Sequence, residues 1–411
     1  MQILKISAIV LALGVVACSP KANSTVLQNS TQAKPESNSE PKSQLSQANF
    51  QDVDKYFNSG KQRFKKGDYQ GAIADYTKAI KINPNYANAY SNRGFSRYKL
   101  KDNQGAISDF TKAIEINPND FKVYNERGNA RLDLKDYQQA IADYTKAIEI
   151  NPNFAYAYVS RSLAHAELKD YQQAIADSTK AIEINPNYAS AYIGRGIARR
   201  LLKDNQGAIS DFTKVIKINP NYPNAYANRG FSRYKLKDYQ EAISDFTKAI
   251  EINPNDFNSY NERGNARLGL RDYRGAIADY NKAIEINPNY AYAYASRSFA
   301  RTRLKDYQGG IADSTKAIEI NPQLAEPYIN RGLARLELKD NQGAIADSTK
   351  AIEINPQLAE SYNNRGLARR RLKDNKGAIT DFQKAAQLFQ KQGRKAQVEK
   401  ILKRIENIKS Q

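Results

Sequence analysis

One cysteine and one histidine are all that the 411 residues contain, and that scarcity removes whole classes of chemistry. Cys18 alone cannot close an intramolecular disulfide, and with His165 as the lone imidazole there is no zinc-ligand cluster. Glycine-rich phosphate loops, nucleophile elbows and metal-ligand spacings are also lacking. The sequence therefore predicts a protein that is not an enzyme, with no catalytic residue, no metal site, no cofactor and no small-molecule substrate. Apolar runs are scarce too: Ile6 to Val16 is too short to span a bilayer comfortably, and no aromatic residue follows Ser19 until Phe50.

What the chain has instead is a period. Asn-Pro recurs every 34 residues, with prolines at Pro84, Pro118, Pro152, Pro186, Pro220, Pro254, Pro288, Pro322 and Pro356. That is the length of a helix-turn-helix unit that cannot bury its own apolar face and must stack on its neighbours. In the unit from Ala87 to Asp120, Ala89, Tyr90, Arg93, Gly94 and Arg97 recur at helical spacing, as do Ala106, Ile107, Phe110, Ala113 and Ile114. Gly94 and Ala106 are small, which predicts close approach of the two helices; the same pair is Gly128 and Ala140, or Ser162 and Ala174, in other units. Asp102 stands where the second helix should start, and Asp136 with Gln139, or Asp238 with Glu241, has capping-box spacing at that point. Pro118 ends the unit by removing a backbone donor. Helices of roughly a dozen residues are marginal alone, so stacking must stabilise them.

These residues resemble the tetratricopeptide repeat family, whose pattern asks for an aromatic at position 4, a small residue at 8, alanine at 20 and 27, and proline at 32. Position 4 is tyrosine in all ten units, from Tyr56 to Tyr362; position 20 departs once, at Gly310, and position 27 once, at Val215. The resemblance implies an all-α, right-handed α-solenoid (superhelix) of ten helix-turn-helix repeats over residues 53–392. The tenth unit has Gln390 in place of proline, and Val398, Ile401, Leu402, Ile405 and Ile408 form an apolar stripe on a capping helix within 393–411.

The N-terminus is a separate matter. Residues 1–17 look like a secretion signal, with Lys5, an apolar run and Ala17. Val15-Val16-Ala17-Cys18 resembles the lipobox of bacterial lipoproteins, which implies lipidation of Cys18, a membrane anchor, and a place in the cell envelope facing the periplasm or the exterior. Residues 18–52 are rich in Ser, Asn, Gln, Lys and Pro and cannot bury enough surface to fold. Such a tether has a root-mean-square reach of about 30 Å.

A longer period is superimposed: residues 87 to 222 and 223 to 358 are nearly duplicate blocks of four repeats. The family resemblance places positions 2, 5, 6, 9, 12 and 13 of each first helix on the concave face. There the chain carries Asn58, Asn92, Asn228, Asn330 and Asn364 at position 6, and Asn125, Asn129, Asn261 and Asn265 at positions 5 and 9. An amide both donates and accepts, which suits an extended peptide backbone, and Phe95, Tyr98, Phe231, Tyr234 and Phe299 add apolar contact. The expected partners are proteins of the cell envelope, held as an extended or helical segment in the groove.

Arginine at position 7 and aspartate at position 23 recur as a set, which predicts a scaffold ladder of Arg–Asp pairs rather than a binding stripe. The formal charge of +20 is not accounted for by paired charges. It supports an alternative function, binding of a polyanion or a membrane surface. No nucleic-acid-binding motif accompanies it, and secretion argues against nucleic acid as partner.

Overall fold

The computed structural model describes residues 47–410, in which there are 21 helices and no strand. The expected signal segment, Cys18 and most of the tether lie outside the described residues. The helices fall into two compact units divided between Pro220 and Asn221, next to the junction of the two duplicated blocks.

In the first unit five helix pairs follow one another: Gln47–Lys65 with Tyr69–Ile82, Ala87–Lys99 with Asn103–Ile116, Phe121–Asp133 with Tyr137–Ile150, Ala155–Glu167 with Tyr171–Ile184, and Ala189–Leu201 with Asn205–Ile218. The second has Pro223–Lys235 with Tyr239–Ile252, Phe257–Gly269 with Tyr273–Ile286, Ala291–Arg303 with Tyr307–Ile320, Ala325–Glu337 with Asn341–Ile354, Ala359–Arg371 with Asn375–Lys391, and finally Lys395–Lys409. Each pair is one repeat, with helix A first and helix B second. Within each unit the A helices touch A helices of neighbouring repeats, and B helices make no comparable mutual contact. Each unit is thus packed more tightly on its A side.

Two boundaries differ from the sequence expectation. The first helix begins at Gln47, inside the segment expected to be tether, because no proline or glycine between Gln47 and Ser59 stops it from running back ahead of Val53. On the final helix Ile401, Ile405 and Ile408 are buried against Leu388 and Phe389, but Leu402 points outward.

The turns explain the punctuation. The carboxylate of Asp102 accepts the Gly105 N–H at 2.9 Å and so caps its helix B, and Asp136 accepts that of Gln139 at 3.4 Å. Asp238 makes no such bond; its expected partner Glu241 lies 3.4 Å from Arg233 instead. At the end of helix B the Asn83 side chain accepts the Asn85 N–H at 3.1 Å, turning the chain across Pro84. Helix A ends in a Schellman arrangement, with the Asp102 N–H on the Arg97 carbonyl and the Lys101 N–H on that of Tyr98. The left-handed residue at this turn is Gly67 in the first repeat but a lysine or arginine in the other nine, beginning with Lys101 at φ 65°.

Helices A and B meet through two alternative contacts at positions 8 and 24. Where helix B carries a ring, helix A carries glycine: a Cβ on Gly128 would stand 2.6 Å from the Tyr144 ring, and one on Gly94 2.8 Å from Phe110. Where helix B carries Ser178 or Ser314, helix A carries Ser162 or Ser298, and the hydroxyls bond at 2.7 and 2.6 Å. Gly310, the exception at position 20, faces Thr302, whose Oγ1 would lie 2.6 Å from an added Cβ.

The Arg–Asp ladder is present, and it is longer than a within-repeat pair. Asp109 is buried and accepts from Arg93 Nη2 at 2.7 Å, Arg93 Nε at 3.0 Å and Arg97 Nη1 at 2.8 Å. Arg93 Nη1 also donates to Thr77 Oγ1 of the preceding repeat at 3.1 Å, and its guanidinium lies over the Tyr90 ring. The same bonds recur from Arg127 to Asp143 and Thr111, and from Arg161 to Asp177 and Thr145. One side chain therefore ties two helices of its own repeat to the repeat before it. His165 stands in for the second arginine, with Nε2 3.9 Å from Asp177, and belongs to this scaffold.

Candidate functional site

The A-helix faces carry the residues singled out for recognition, and the structure sorts them into three groups. Asn92 is part-exposed and its amide makes no hydrogen bond within the protein. Asn228 and Asn330 are part-exposed but donate to backbone carbonyls, Asn228 to Asn224 at 2.8 Å and Asn330 to Ala295 of the preceding repeat at 3.0 Å. Asn125, Asn261 and Asn364 are buried, so these three amides serve the interior and do not lie open to an extended backbone. Neighbouring A helices touch one another, a contact that helical periodicity within one repeat does not reveal.

The aromatic residues also split. Phe95 packs edge-on against Phe110 with ring centroids 5.3 Å apart, and Phe231 lies against the cluster around Phe246. Tyr98 and Tyr234 are partly buried at the ends of their A helices. Burial is the first cause that holds the Tyr98 hydroxyl well above its ordinary value, followed by the Asp133 carboxylate. Tyr234 is pushed up to about 12 by burial and then by Glu262. Phe299 is 37% exposed and is the open apolar side chain of this set.

Asn125 and Asn129 converge on a residue that the sequence reading passed over, Glu126. Asn129 Nδ2 donates to its Oε2 at 3.0 Å and Asn125 Nδ2 to its Oε1 at 3.4 Å. Tyr144, from helix B of the same repeat, donates its hydroxyl to Asn129 Oδ1 at 2.9 Å and so fixes the amide's orientation. Burial pushes the Glu126 carboxyl up, and the two amide donors and the charge of Lys99 pull it back only in part. Tyr156, from helix A of the next repeat, is pushed up to about 12 by burial and by the Glu126 charge. The same arrangement recurs in the second unit, where Asn265 and Asn261 each donate to Glu262 at 3.2 Å and Tyr280 donates to Asn265 at 2.8 Å. The signal was in the sequence: Asn-Glu-Arg-Gly-Asn occurs twice, with glutamate where five of the other repeats have asparagine and three have serine or glycine.

A basic cluster closes the second unit. Arg404 donates to Asn363 Oδ1 at 2.6 Å, and burial together with the charge of Arg370 lowers its affinity for a proton. Among the described residues no group of three or more histidine, cysteine, aspartate or glutamate side chains could hold a metal, and no helix is long and apolar enough to cross a membrane.

Comparison with known proteins agrees with this architecture. Tetratricopeptide repeat profiles match residues 87–120, 121–154, 223–256 and 257–290, and a second set matches 155–188, 189–222, 325–358 and 359–392. A further repeat profile matches 60–101. No curated relative matches the chain. Among solved structures, a chain of the APC/C hetero-tetramer Cut9–Hcn1 is 14% identical with a TM-score of 0.51, over 87% of this chain and 84% of that one. YrrB, described as a protein of this repeat class with an unusual peptide-binding site, is 24% identical with a TM-score of 0.41, over 45% of this chain and 95% of its own. A repeat protein from Parabacteroides merdae is 20% identical with a TM-score of 0.46, over 61% and 99%.

Proposed function

The chain belongs to the tetratricopeptide repeat family, and from that premise we propose that it is a non-catalytic scaffold holding a peptide segment of a protein partner against the faces of its A helices. The observation that carries this reading is a division of labour along each repeat. The A/B interface uses a small set of alternative contacts and the Arg–Asp–Thr seam recurs with few exceptions, such as Asn281 in place of Thr, whereas the A-helix face changes its polar and aromatic set. Open side chains such as Asn92 and Phe299 stand on that face. A recurring helix pair supplies stability, and the variable face is left to supply selectivity. We place the scaffold in the cell envelope, held by lipid on Cys18, on the strength of Val15-Val16-Ala17-Cys18 and the apolar run before it.

Capture from an envelope extract at physiological salt tests the scaffold. A discrete protein should be retained by the wild type and lost by a variant carrying Asn92→Ala and Phe299→Ala; equal retention by both contradicts it. Cys18→Ala should move the protein from the membrane fraction to the soluble fraction, and unchanged fractionation contradicts the anchor.

The alternative, a binder of polyanions or membrane surface, is favoured by one feature: Arg370 and Arg404 lie near each other with no carboxylate in ion-pairing range of either. Binding of that kind should collapse as salt rises to about 0.15 M, whereas groove recognition should persist.

A further inference from the structure

Every buried aspartate of the ladder described above has a cationic or hydroxyl partner, but among the described residues Glu126 has no cation within ion-pairing distance. Its oxygens are met by the Asn125 and Asn129 amides alone, and Lys99 acts on it only from farther away. A desolvated carboxylate without a counter-charge costs stability. Asn125 adds a second unmet group: its side chain is wholly buried and its Oδ1 accepts no hydrogen bond, although its Nδ2 bonds Glu126. That acceptor lies in the interior, so it is the partly exposed Glu126 carboxylate that calls for a ligand bringing N–H donors and positive charge. The tyrosines add to this. Tyr144 is bonded to the Asn129 that holds Glu126, at 2.9 Å, and the Glu126 charge adds to burial in raising the hydroxyls of Tyr98 and Tyr156 from the repeats on either side.

The second unit holds the same set. Tyr234, Asn261, Glu262, Asn265 and Tyr292 take the places of Tyr98, Asn125, Glu126, Asn129 and Tyr156, and the Asn261 Oδ1 likewise accepts no bond. The duplicated blocks have diverged beside it, with Val123 against Ser259 and Asp133 against Gly269, so the shared set is not the mere sameness of the copies.

We propose that Glu126, with the Asn125 and Asn129 amides and the Tyr98 and Tyr156 rings, forms a subsite that takes an arginine or lysine side chain of the segment held on this A-helix face. The inference rests on the scaffold reading above. A guanidinium or ammonium group matches the site in charge, in donor capacity and in its affinity for aromatic faces. The net positive charge of the whole protein is screened beyond about 8 Å at physiological salt, so an isolated basic residue fits the site better than a basic run.

The test uses the full chain and fluorescein-labelled alanine-rich peptides that carry one central arginine, norleucine or glutamate, followed by anisotropy at about 0.15 M salt. The arginine peptide should bind about tenfold more tightly than the norleucine peptide, and the variant E126Q should abolish that preference while leaving the norleucine peptide unaffected. Glutamine keeps the shape and removes a desolvated charge, so folding is preserved, and circular dichroism verifies it. Equal binding of the three peptides, a preference that survives E126Q, or no binding of the arginine peptide up to millimolar concentration each overturns the subsite. Alike binding of all three leaves the scaffold standing. An arginine preference in a protein whose Asn92→Ala, Phe299→Ala variant still captures its partner overturns the scaffold and leaves the subsite.

Discussion

At the scale of single residues, the ladder and the glutamate are opposite cases of a desolvated carboxylate. Asp143 is buried and accepts from both Arg127 and Arg131, so removing its charge strands two guanidiniums. Asp143→Asn should lower stability by about 3–5 kcal/mol, read as a fall in the denaturation midpoint, and an unchanged midpoint would show that the pair is idle. Glu126 differs in sign. Burial raises its carboxyl above the unfolded value, so the neutral form costs nothing below the ordinary carboxylate range, and the charged form becomes a growing cost as pH rises through the folded value. The groups facing it are Tyr98 and Lys99 from one neighbouring repeat, Tyr156 from the other, and Tyr144 from its own helix B. Thermal midpoints of Glu126→Gln and wild type should therefore coincide near about pH 4 and separate in favour of the variant toward about pH 8. A constant difference would contradict the assignment. The ladder was legible in the sequence because Arg recurs at position 7 in nine of the ten repeats and Asp at position 23 in all ten. Its third link to threonine was not, since it crosses between repeats, and neither was the burial of Asn125 and Asn261, for the same reason.

At the scale of helices, the interface between A and B obeys a volume rule that each repeat solves locally. Glycine faces a ring, or serine faces serine. The fourth repeat of the second unit breaks this rule, with Gly332 against Ser348, and the Ser348 hydroxyl is buried without a hydrogen-bond partner. A Cβ at Gly332 would sit 3.4 Å from the Asp347 Cβ and 3.5 Å from Ser348 Oγ, which is ordinary contact. Gly332→Ser should restore the serine pair and gain about 1 kcal/mol from helix propensity and the new bond together. Gly128→Ala should instead lose about 1–3 kcal/mol, because its Cβ would run into the Tyr144 ring. Denaturant midpoints of the two variants moving in the same direction would refute the rule. Most of this level could be read from the sequence: a small residue at position 8 predicts close approach whatever lies opposite. The start of the first helix at Gln47 could not, because absence of a helix breaker sets no boundary until packing decides how far the helix runs.

At the scale of the molecule, the repeats form two compact units, each packed more closely on its A side, with the residues proposed for recognition on that side and the Arg–Asp–Thr seam inside. The period identified the architecture before any contact was known, since a helix pair that cannot bury its own face must stack. The face was harder to read. Periodicity places a side chain on a helix surface, but only the neighbouring repeat decides whether that surface is open, as at Asn92, or covered, as at Asn364. The central claim is that a partner is held on the A-helix side. Site-specific photo-crosslinking in cells tests it most directly, with a photoreactive residue placed at Asn92 or Phe299 on A helices and at exposed Lys112 on a B helix. Discrete protein adducts from the two A-helix positions and none from Lys112 are predicted; adducts from Lys112 alone, or equally from all three, would contradict the account.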